Sequence, residues 1–409
     1  MGCFVLKKII CLILVFVILS SNCVFAENGA VTVSSECDIS DIDVPLSSQT
    51  VDAPIGQTLE IHAKSAILME PVTGQILYEM NSDERLAPAS ITKIMPLLLI
   101  MEAIERGDIS LETVVTASEH ACSMGGSQIW LEPGESMTVD ELLKATVIAS
   151  ANDACVALGE LIAGSEEGFV AQMNIRAEEL GMTNTNFVNC TGLDAEGHLT
   201  SAHDVAIMSC ELIKHELIKK YSTVWMDTLR DGKSELVNTN KLVRFYEGTT
   251  GLKTGTTGIA KYCLSATAQR QGLSLVAVVM AGDTSPDRFE GAKKLLDYGF
   301  ANYAFNVIDA NLEQTELKVD GGVADKVKIS AKAQLNVLLA KSSKEEIKRT
   351  YDLKEGIKAP VKKGQTVGYV NISVGDNDVG RIEITAEEDV KKLTTLIAFT
   401  TIIKQIFKL

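Results

Sequence analysis

The sequence predicts an α+β domain, an antiparallel sheet with a cluster of helices, followed by a small all-β domain and a C-terminal amphipathic helix. Three observations predict it. Strand-like runs stand near both ends of residues 59–304 with helical patterns between them, the order expected when helices segregate from an antiparallel sheet. After about residue 305 the texture changes to short alternating runs separated by Gly, Asp and Lys. The last residues, "VKKLTTLIAFTTIIKQIFKL", set an uncharged apolar stretch between lysines. A hydrophobic content of 46% and a charged content of 22% are those of a globular chain.

The elements follow in order. Lys7 and Lys8 precede "IICLILVFVIL", an apolar run too short to span a bilayer, and "SSNCVFA" offers Val24 and Ala26 as small cleavage-site residues. This reads as a secretory signal peptide over 1–26. A lipoprotein through Cys23, for which Asn22 is a poor neighbour, and an uncleaved anchor are the alternatives, and each places the working protein outside the cytoplasm. Residues 27–58, rich in Ser, Asp and Val, form a spacer. In "KSAILMEPVTGQILYEMN" two apolar strands flank a turn at 70–74, a hairpin. "SITKIMPLLLIMEAIERG" predicts a helix over 90–107 ending at Gly107. Pro96 lies inside it, and the loss of a backbone hydrogen bond there predicts a bend. Thr138 and Glu141 form a capping box for a helix over 138–150. Helices follow from Asn152, over "EEGFVAQMNIRAEELG", and over 201–217. Strands at 261–269 and 273–282 and a helix from about Pro286 to Tyr303 complete the domain.

The β-rich domain spans 305–388, with strands in "TELKVDG", "DKVKISA", "QLNVLLA", "TVGYVNISV" and "GRIEITA". Residues 389–409 are predicted as a membrane-anchor helix. Leu393 to Ile403 is far shorter than the roughly 20 residues of a spanning helix. Apolar on a broad face, with Lys391, Lys392, Lys404 and Lys408 at its ends, it suits the membrane interface, where each lysine near anionic lipid contributes about 1 kcal/mol. Docking on the β-domain is the alternative.

A net charge of −16 argues against nucleic acid as a partner. Of nine cysteines, Cys3, Cys11 and Cys23 belong to the leader, and the remaining six show no C-x-x-C and no zinc spacing. Buried free thiols are the expectation.

Three short motifs carry the chemistry. In "PASITK" Ser90 and Lys93 stand three apart and share a helix face near its N-terminus, where unpaired N–H groups favour developing negative charge. Lys93 can act as base only when neutral, and an ordinary lysine is about 0.04% neutral at pH 7. A shift of roughly three units is required, which burial and a neighbouring cation can supply. In "SAND" Ser150 relays a proton or holds a lysine, and Asn152 offers its amide to a substrate carbonyl or to Lys93. In "GLKTGTT" Lys253 lies on or at the end of an edge strand. Its cation lowers the pKa of Lys93 and meets a substrate carboxylate, with Thr254 and Thr256 as hydroxyl donors. The backbone N–H groups of Ser90 and Thr256 form an oxyanion hole.

Singly each motif is weak; their order and spacing together are strong. "PASITKIM", "SANDACVALGE", "LGMTNTNFVNCTGLDAEGHLTSAHDVA" and "GLKTGTT" resemble the low-molecular-weight penicillin-binding proteins, serine-type D-alanyl-D-alanine carboxypeptidases with a β-lactamase/transpeptidase-like fold. The resemblance covers about residues 60–304, and the β-rich segment and basic tail resemble that family's second domain and membrane anchor. It implies that Ser90 is acylated by the D-Ala-D-Ala end of a peptidoglycan stem peptide with Lys93 as base, releasing D-alanine before the ester is hydrolysed, without a cofactor. β-Lactams would mimic the substrate. Ser150 and Asn152 match the second motif, and Lys253, Thr254 and Gly255 the third. Arg288 resembles the family's arginine near the carboxylate site; a surface ion pair with Asp287 or Glu290 is its bland alternative. A cross-link endopeptidase, a β-lactamase and a catalytically silent wall scaffold are the competing readings. His198 and His203 lack the glutamates of a hydrolytic zinc site, so no metal is predicted. Glu178 and Glu179 read as helix surface, and Trp130 as core or pocket wall.

Overall fold

In a computed structural model, residues 59–407 are described, apart from 332, 333 and 344 and the side chains of 401–405 and 407. The predicted signal peptide, the spacer and Cys37 lie outside the described residues.

One five-stranded antiparallel sheet organises the first domain. β1 (Ser65–Met69) and β2 (Ile76–Met80) form the expected hairpin. The turn between them is tied by the buried Glu70, which accepts the amides of Val72 and Thr73. β3 (Thr249–Thr257), β4 (Lys261–Arg270) and β5 (Leu273–Gly282) complete the sheet in the order β2-β1-β5-β4-β3, which leaves β3 at an edge. Both faces are covered. Val276, Val278 and Met280 of β5 enter the core beneath the helices, while Leu275, Ala277 and Val279 enter the core on the opposite face. That two-sided burial explains why β5 reads as an unbroken apolar run.

In this domain the helices of six residues or more are α1 (Ile94–Arg106), α2 (Val139–Lys144), α3 (Asn152–Ala163), α4 (Glu166–Glu179), α5 (Ala202–Leu212) and α6 (Ser285–Asn302). All but α6 build the helical core; α6 packs on the other face. Three expected helices are shorter than their patterns. Residues Ala89–Lys93 form a 3-10 turn before α1. Pro96 is therefore the third residue of α1, in the first turn, where its missing N–H has no intrahelical partner and removes the reason for a bend. The capping box of Thr138 and Glu141 is present, but α2 gives way to a π-turn over Ala145–Ala149 that ends on Ser150 at φ 64°. α5 stops at Leu212, and Glu216–Ile218 form a separate 3-10 turn.

The second region is all-β with its own core, and six of its eight strands form one sheet. β6 (Tyr303–Ile308) pairs with β9 (Leu335–Ala340). The larger sheet runs β10-β12-β13-β8-β7-β11, from β7 (Glu316–Asp320), β8 (Lys326–Ser330), β10 (Ile347–Leu353), β11 (Ile357–Lys358), β12 (Thr366–Val374) and β13 (Asn377–Ala386). Sequence reading missed β6, β10 and β11. β10 is polar at alternate positions and only half-buried at the others, so its apolar period is faint. The C-terminal helix α7 (Thr395–Phe407) is shorter than expected, because Val390 bridges Val361, Lys392 bridges Gly322 and the Leu393 amide bonds the Gly321 carbonyl. Residues 390–393 thus finish the β-region. Among the described residues no helix is long and apolar enough to cross a membrane.

Candidate active site

The 3-10 turn Ala89–Lys93 places Ser90 and Lys93 in register. In this tighter helix residues i and i+3 eclipse, bringing the two side chains closer than an α-turn would. Lys93 Nζ stands 3.0 Å from Ser90 Oγ. It also donates to Asn152 Oδ1 at 2.5 Å and to the Thr191 carbonyl at 2.7 Å. Those two acceptors occupy both N–H bonds of a neutral amine, so its lone pair is left for the Ser90 hydroxyl. Lys93 is fully buried, and that burial lowers its pKa to about 8. At pH 7 about a tenth of it is neutral, against the few hundredths of a percent of an ordinary lysine.

Asn152, at the start of α3, is fixed on three sides. Besides receiving Lys93, it donates Nδ2 to the Gly125 carbonyl at 2.6 Å and its backbone N–H to the Ser127 carbonyl at 2.7 Å. Ser150 sits just before it in the left-handed region; its buried hydroxyl makes no hydrogen bond among the described residues.

The edge strand β3 supplies the opposite side. A β-carbon on Gly255 would meet the Pro88 carbonyl oxygen at 2.8 Å and the Ile91 amide nitrogen at 3.0 Å, so only glycine lets β3 pack against the serine turn. Lys253 is buried and bonds the Thr254 carbonyl at 3.0 Å. Burial, then the charges of Lys93 and Arg288, hold its ammonium well below the usual lysine range. The expectation that Lys253 is the fixed cation depressing Lys93 is thus revised: burial is the leading cause for both amines, and two ammonium groups in one dry site disfavour each other. Thr254 donates to Thr239 Oγ1 at 2.7 Å.

Arg288 is no surface ion pair. Its Nη1 donates to the Gly255 carbonyl at 2.9 Å, Thr256 Oγ1 at 2.8 Å and the Cys263 carbonyl at 3.3 Å. Asp287 instead completes a capping box with Thr284. Eight of the nine predicted site residues therefore lie on three segments that converge, the serine turn bonding Asn152 through Lys93 and touching β3 at Gly255, and the ninth, Arg288 of α6, bonds the Gly255 carbonyl.

His198 is structural. Its Nδ1 accepts the Val188 amide at 2.9 Å, leaving Nε2 to donate to Thr92 Oγ1 at 2.8 Å. His203 lies at the surface, its Nδ1 3.6 Å from Asp83. Glu178 and Glu179 are exposed, Glu179 paired with Arg176. Cys122, Cys155, Cys190, Cys210 and Cys263 are free thiols. Trp130 is 75% exposed, contrary to a place in the core.

A family model described as D-alanyl-D-alanine carboxypeptidase matches residues 48–284. The chain belongs to the D-alanyl-D-alanine carboxypeptidase family. A second model, penicillin-binding protein 5, C-terminal domain, matches residues 304–392. D-alanyl-D-alanine carboxypeptidase DacF of Bacillus subtilis is 46% identical over 335 residues, 81% of this chain and 86% of that protein. The crystal structure of penicillin binding protein 5 from Haemophilus influenzae superposes with a TM-score of 0.70 at 31% identity, covering 82% of this chain and all of that one. Penicillin-binding protein D2 from Listeria monocytogenes, in its ampicillin-bound form, matches 60% of this chain and all of its own at 30% identity and a TM-score of 0.55.

Within this carboxypeptidase fold, two sets of groups at the site carry no mark in the sequence: the Thr191 carbonyl and the carbonyls of Gly125 and Ser127. Backbone carbonyls carry no residue signature. The turn signals around them, Gly192 and the Gly125–Gly126 pair, were the available hint.

Proposed function

We propose that the protein is a serine D-Ala-D-Ala carboxypeptidase removing the terminal D-alanine of peptidoglycan stem peptides. Ser90 attacks the penultimate carbonyl as Lys93 takes its proton, D-alanine leaves, and water hydrolyses the Ser90 ester. Asn152 orients Lys93 and meets the substrate amide. Ser150, whose buried hydroxyl has no hydrogen-bond partner among the described residues, passes a proton to the leaving amine. The N–H groups of Ser90 and Thr256 receive the oxyanion. Lys253, Thr254, Gly255 and Thr256 line the site of the substrate carboxylate, with Arg288 behind them. β-Lactams acylate the same serine. The observation carrying this reading is a buried lysine 3.0 Å from a serine hydroxyl with its other hydrogens engaged.

Fluorescent penicillin tests it. Covalent label should appear on wild type, vanish in Ser90→Ala and fall sharply in Lys93→Ala; label surviving Ser90→Ala overturns the nucleophile. A pentapeptide ending in D-Ala-D-Ala should then release D-alanine. Rapid penicillin turnover without D-alanine indicates a β-lactamase, cleavage of cross-linked dimers an endopeptidase, and label without any turnover a scaffold.

The proposal extends to the whole chain: a leader over 1–26, a spacer to 58, the catalytic domain over 59–304, a β-domain over 305–393 and a membrane-anchor segment over 394–409. Separate cores and the second family match support the division. The enzyme would lie on the outer face of the bacterial cytoplasmic membrane. α7 supports this, with Leu396, Phe399 and Ile406 exposed on a short helix. Truncation after Thr394 spares the β-region and should release the protein from membranes with activity intact. A truncated form that still pellets with them defeats the anchor.

A further inference from the structure

Trp130 is the most exposed large hydrophobic residue described, at 75%. Its backbone holds φ 60°, a conformation that bulky side chains rarely adopt and that persists only where surroundings enforce it. Here they do. Asp153, itself 1% exposed, accepts the amides on either side of Trp130, from Ile129 at 3.1 Å and Leu131 at 3.1 Å. Arg230 donates to the carbonyls of Ile129 at 2.8 Å and Trp130 at 3.3 Å, and Glu135 grips Arg230 at 2.8 and 3.1 Å. Ile129 and Leu131 are buried. The indole between them enters no hydrogen bond or ring contact among the described residues.

The mount is tied to the active site through the backbone of one motif. Asp153 follows Asn152, which bonds Gly125 and Ser127 of the same loop. Trp130 is three residues beyond Ser127, so it lies within roughly 10 Å along the chain of a residue bonded to Asn152. About three residues of an extended peptide cover that distance. Ala89, next to the proposed nucleophile, and Ser150, in the second motif, also hold positive φ, at 51° and 64°. Leu193, 36% exposed, stands 3.7 Å from where a Gly126 β-carbon would be. One tryptophan buries about 150–250 Å², far below the roughly 800 Å² per partner of a stable protein interface and of the size that suits a small ligand segment.

We propose that Trp130 is a specificity-determining residue that contacts the acyl half of the substrate. Its indole packs on the aliphatic part of the peptide upstream of the two terminal D-alanines. This rests on the carboxypeptidase reading above.

Steady-state kinetics of Trp130→Ala and Trp130→Phe test it with two substrates: a stem pentapeptide and N-acetyl-D-Ala-D-Ala. For Trp130→Ala, kcat/KM on the pentapeptide should fall about tenfold further than on the short peptide, through KM, with Trp130→Phe retaining most of the difference. The short substrate is the internal control for folding. In the Ser90→Ala background, pentapeptide should change tryptophan fluorescence, and adding Trp130→Phe should abolish the change while Trp225 still emits. Equal losses on both substrates, or a fluorescence change that survives Trp130→Phe, overturn the assignment while leaving the carboxypeptidase reading intact. Wild type that releases D-alanine from neither peptide defeats both.

Discussion

Gly192 and Ala89 approach so closely that a β-carbon on the glycine would stand 1.9 Å from the Ala89 carbonyl oxygen. Gly192 holds φ 85° in a turn tied by Asn189, whose Oδ1 accepts the amides of Thr191 at 3.2 Å and Gly192 at 2.7 Å. The Glu166 carboxylate accepts the preceding Cys190 amide at 3.1 Å. The carbonyl between these amides, that of Thr191, receives Lys93. One turn therefore both presses on the backbone of the proposed nucleophile and sets an acceptor for its proposed base.

Gly192→Ala should act on both. The added methyl cannot coexist with Ala89, so the serine turn or the Thr191 carbonyl must shift. A displacement near 1 Å is worth about 100-fold in rate, and the strain costs about 2 kcal/mol or more. Penicillin acylation should fall at least that far, with a lowered Tm. Labelling at the wild-type rate would show that the contact is not rigid.

The pH dependence of acylation follows from Lys93. Its pKa is lowered by burial to about 8, and only the neutral amine accepts the serine proton. The rate should rise about tenfold per pH unit below 8 and level above it. Stopped-flow labelling between pH 6 and 9.5 measures this directly. A flat profile would remove Lys93 as the base.

Much of this was legible in the sequence, for identifiable reasons. Ser90, Lys93, Asn152 and Lys253 announce themselves because their chemistry needs particular side chains at fixed spacing. The hairpin of β1 and β2, the capping box at Thr138 and the run of β5 are local patterns. What escaped depends on distant partners. Whether Lys93 or Lys253 holds a proton is decided by burial beneath elements over a hundred residues apart. Trp130 reads as core or pocket wall, and the core half fails because Asp153 and Arg230 fasten its backbone while its side chain stays exposed. The 3-10 turn was hidden because SITK and a regular helix share the same period over so few residues.

His198 makes acid stability a second test. Its Nδ1 must stay unprotonated to accept the Val188 amide, and burial lowers its pKa to about 4 from an ordinary 6.5. The unfolded chain therefore binds the extra proton first as pH falls. Stability is whole above about 6.5 and declines through the window down to about 4. At pH 4.5 the loss from this residue is about 2–3 kcal/mol. His198→Gln cannot titrate, so between pH 7.5 and 4.5 it should lose that much less than wild type in urea unfolding, although it starts lower. Parallel declines would mean that His198 is not held neutral.

Arg288 separates charge from geometry. One guanidinium nitrogen reaches three oxygens on two strands, at Gly255, Thr256 and Cys263, and the group lies 4.9 Å from the Phe289 ring centroid and 5.5 Å from that of Tyr262. A lysine keeps the positive charge but loses the planar fork and the ring stacking. If Arg288 served only as a distant positive charge for the substrate carboxylate, Arg288→Lys would be nearly silent. Because it also fixes the edge strand, Arg288→Lys should raise KM for a D-Ala-D-Ala peptide about tenfold and slow penicillin acylation similarly, while Arg288→Ala should do more. Equal activity of the lysine variant and wild type would reduce the role of Arg288 to its charge. Loss of peptide hydrolysis with unchanged acylation would place it on the leaving D-alanine rather than on β3.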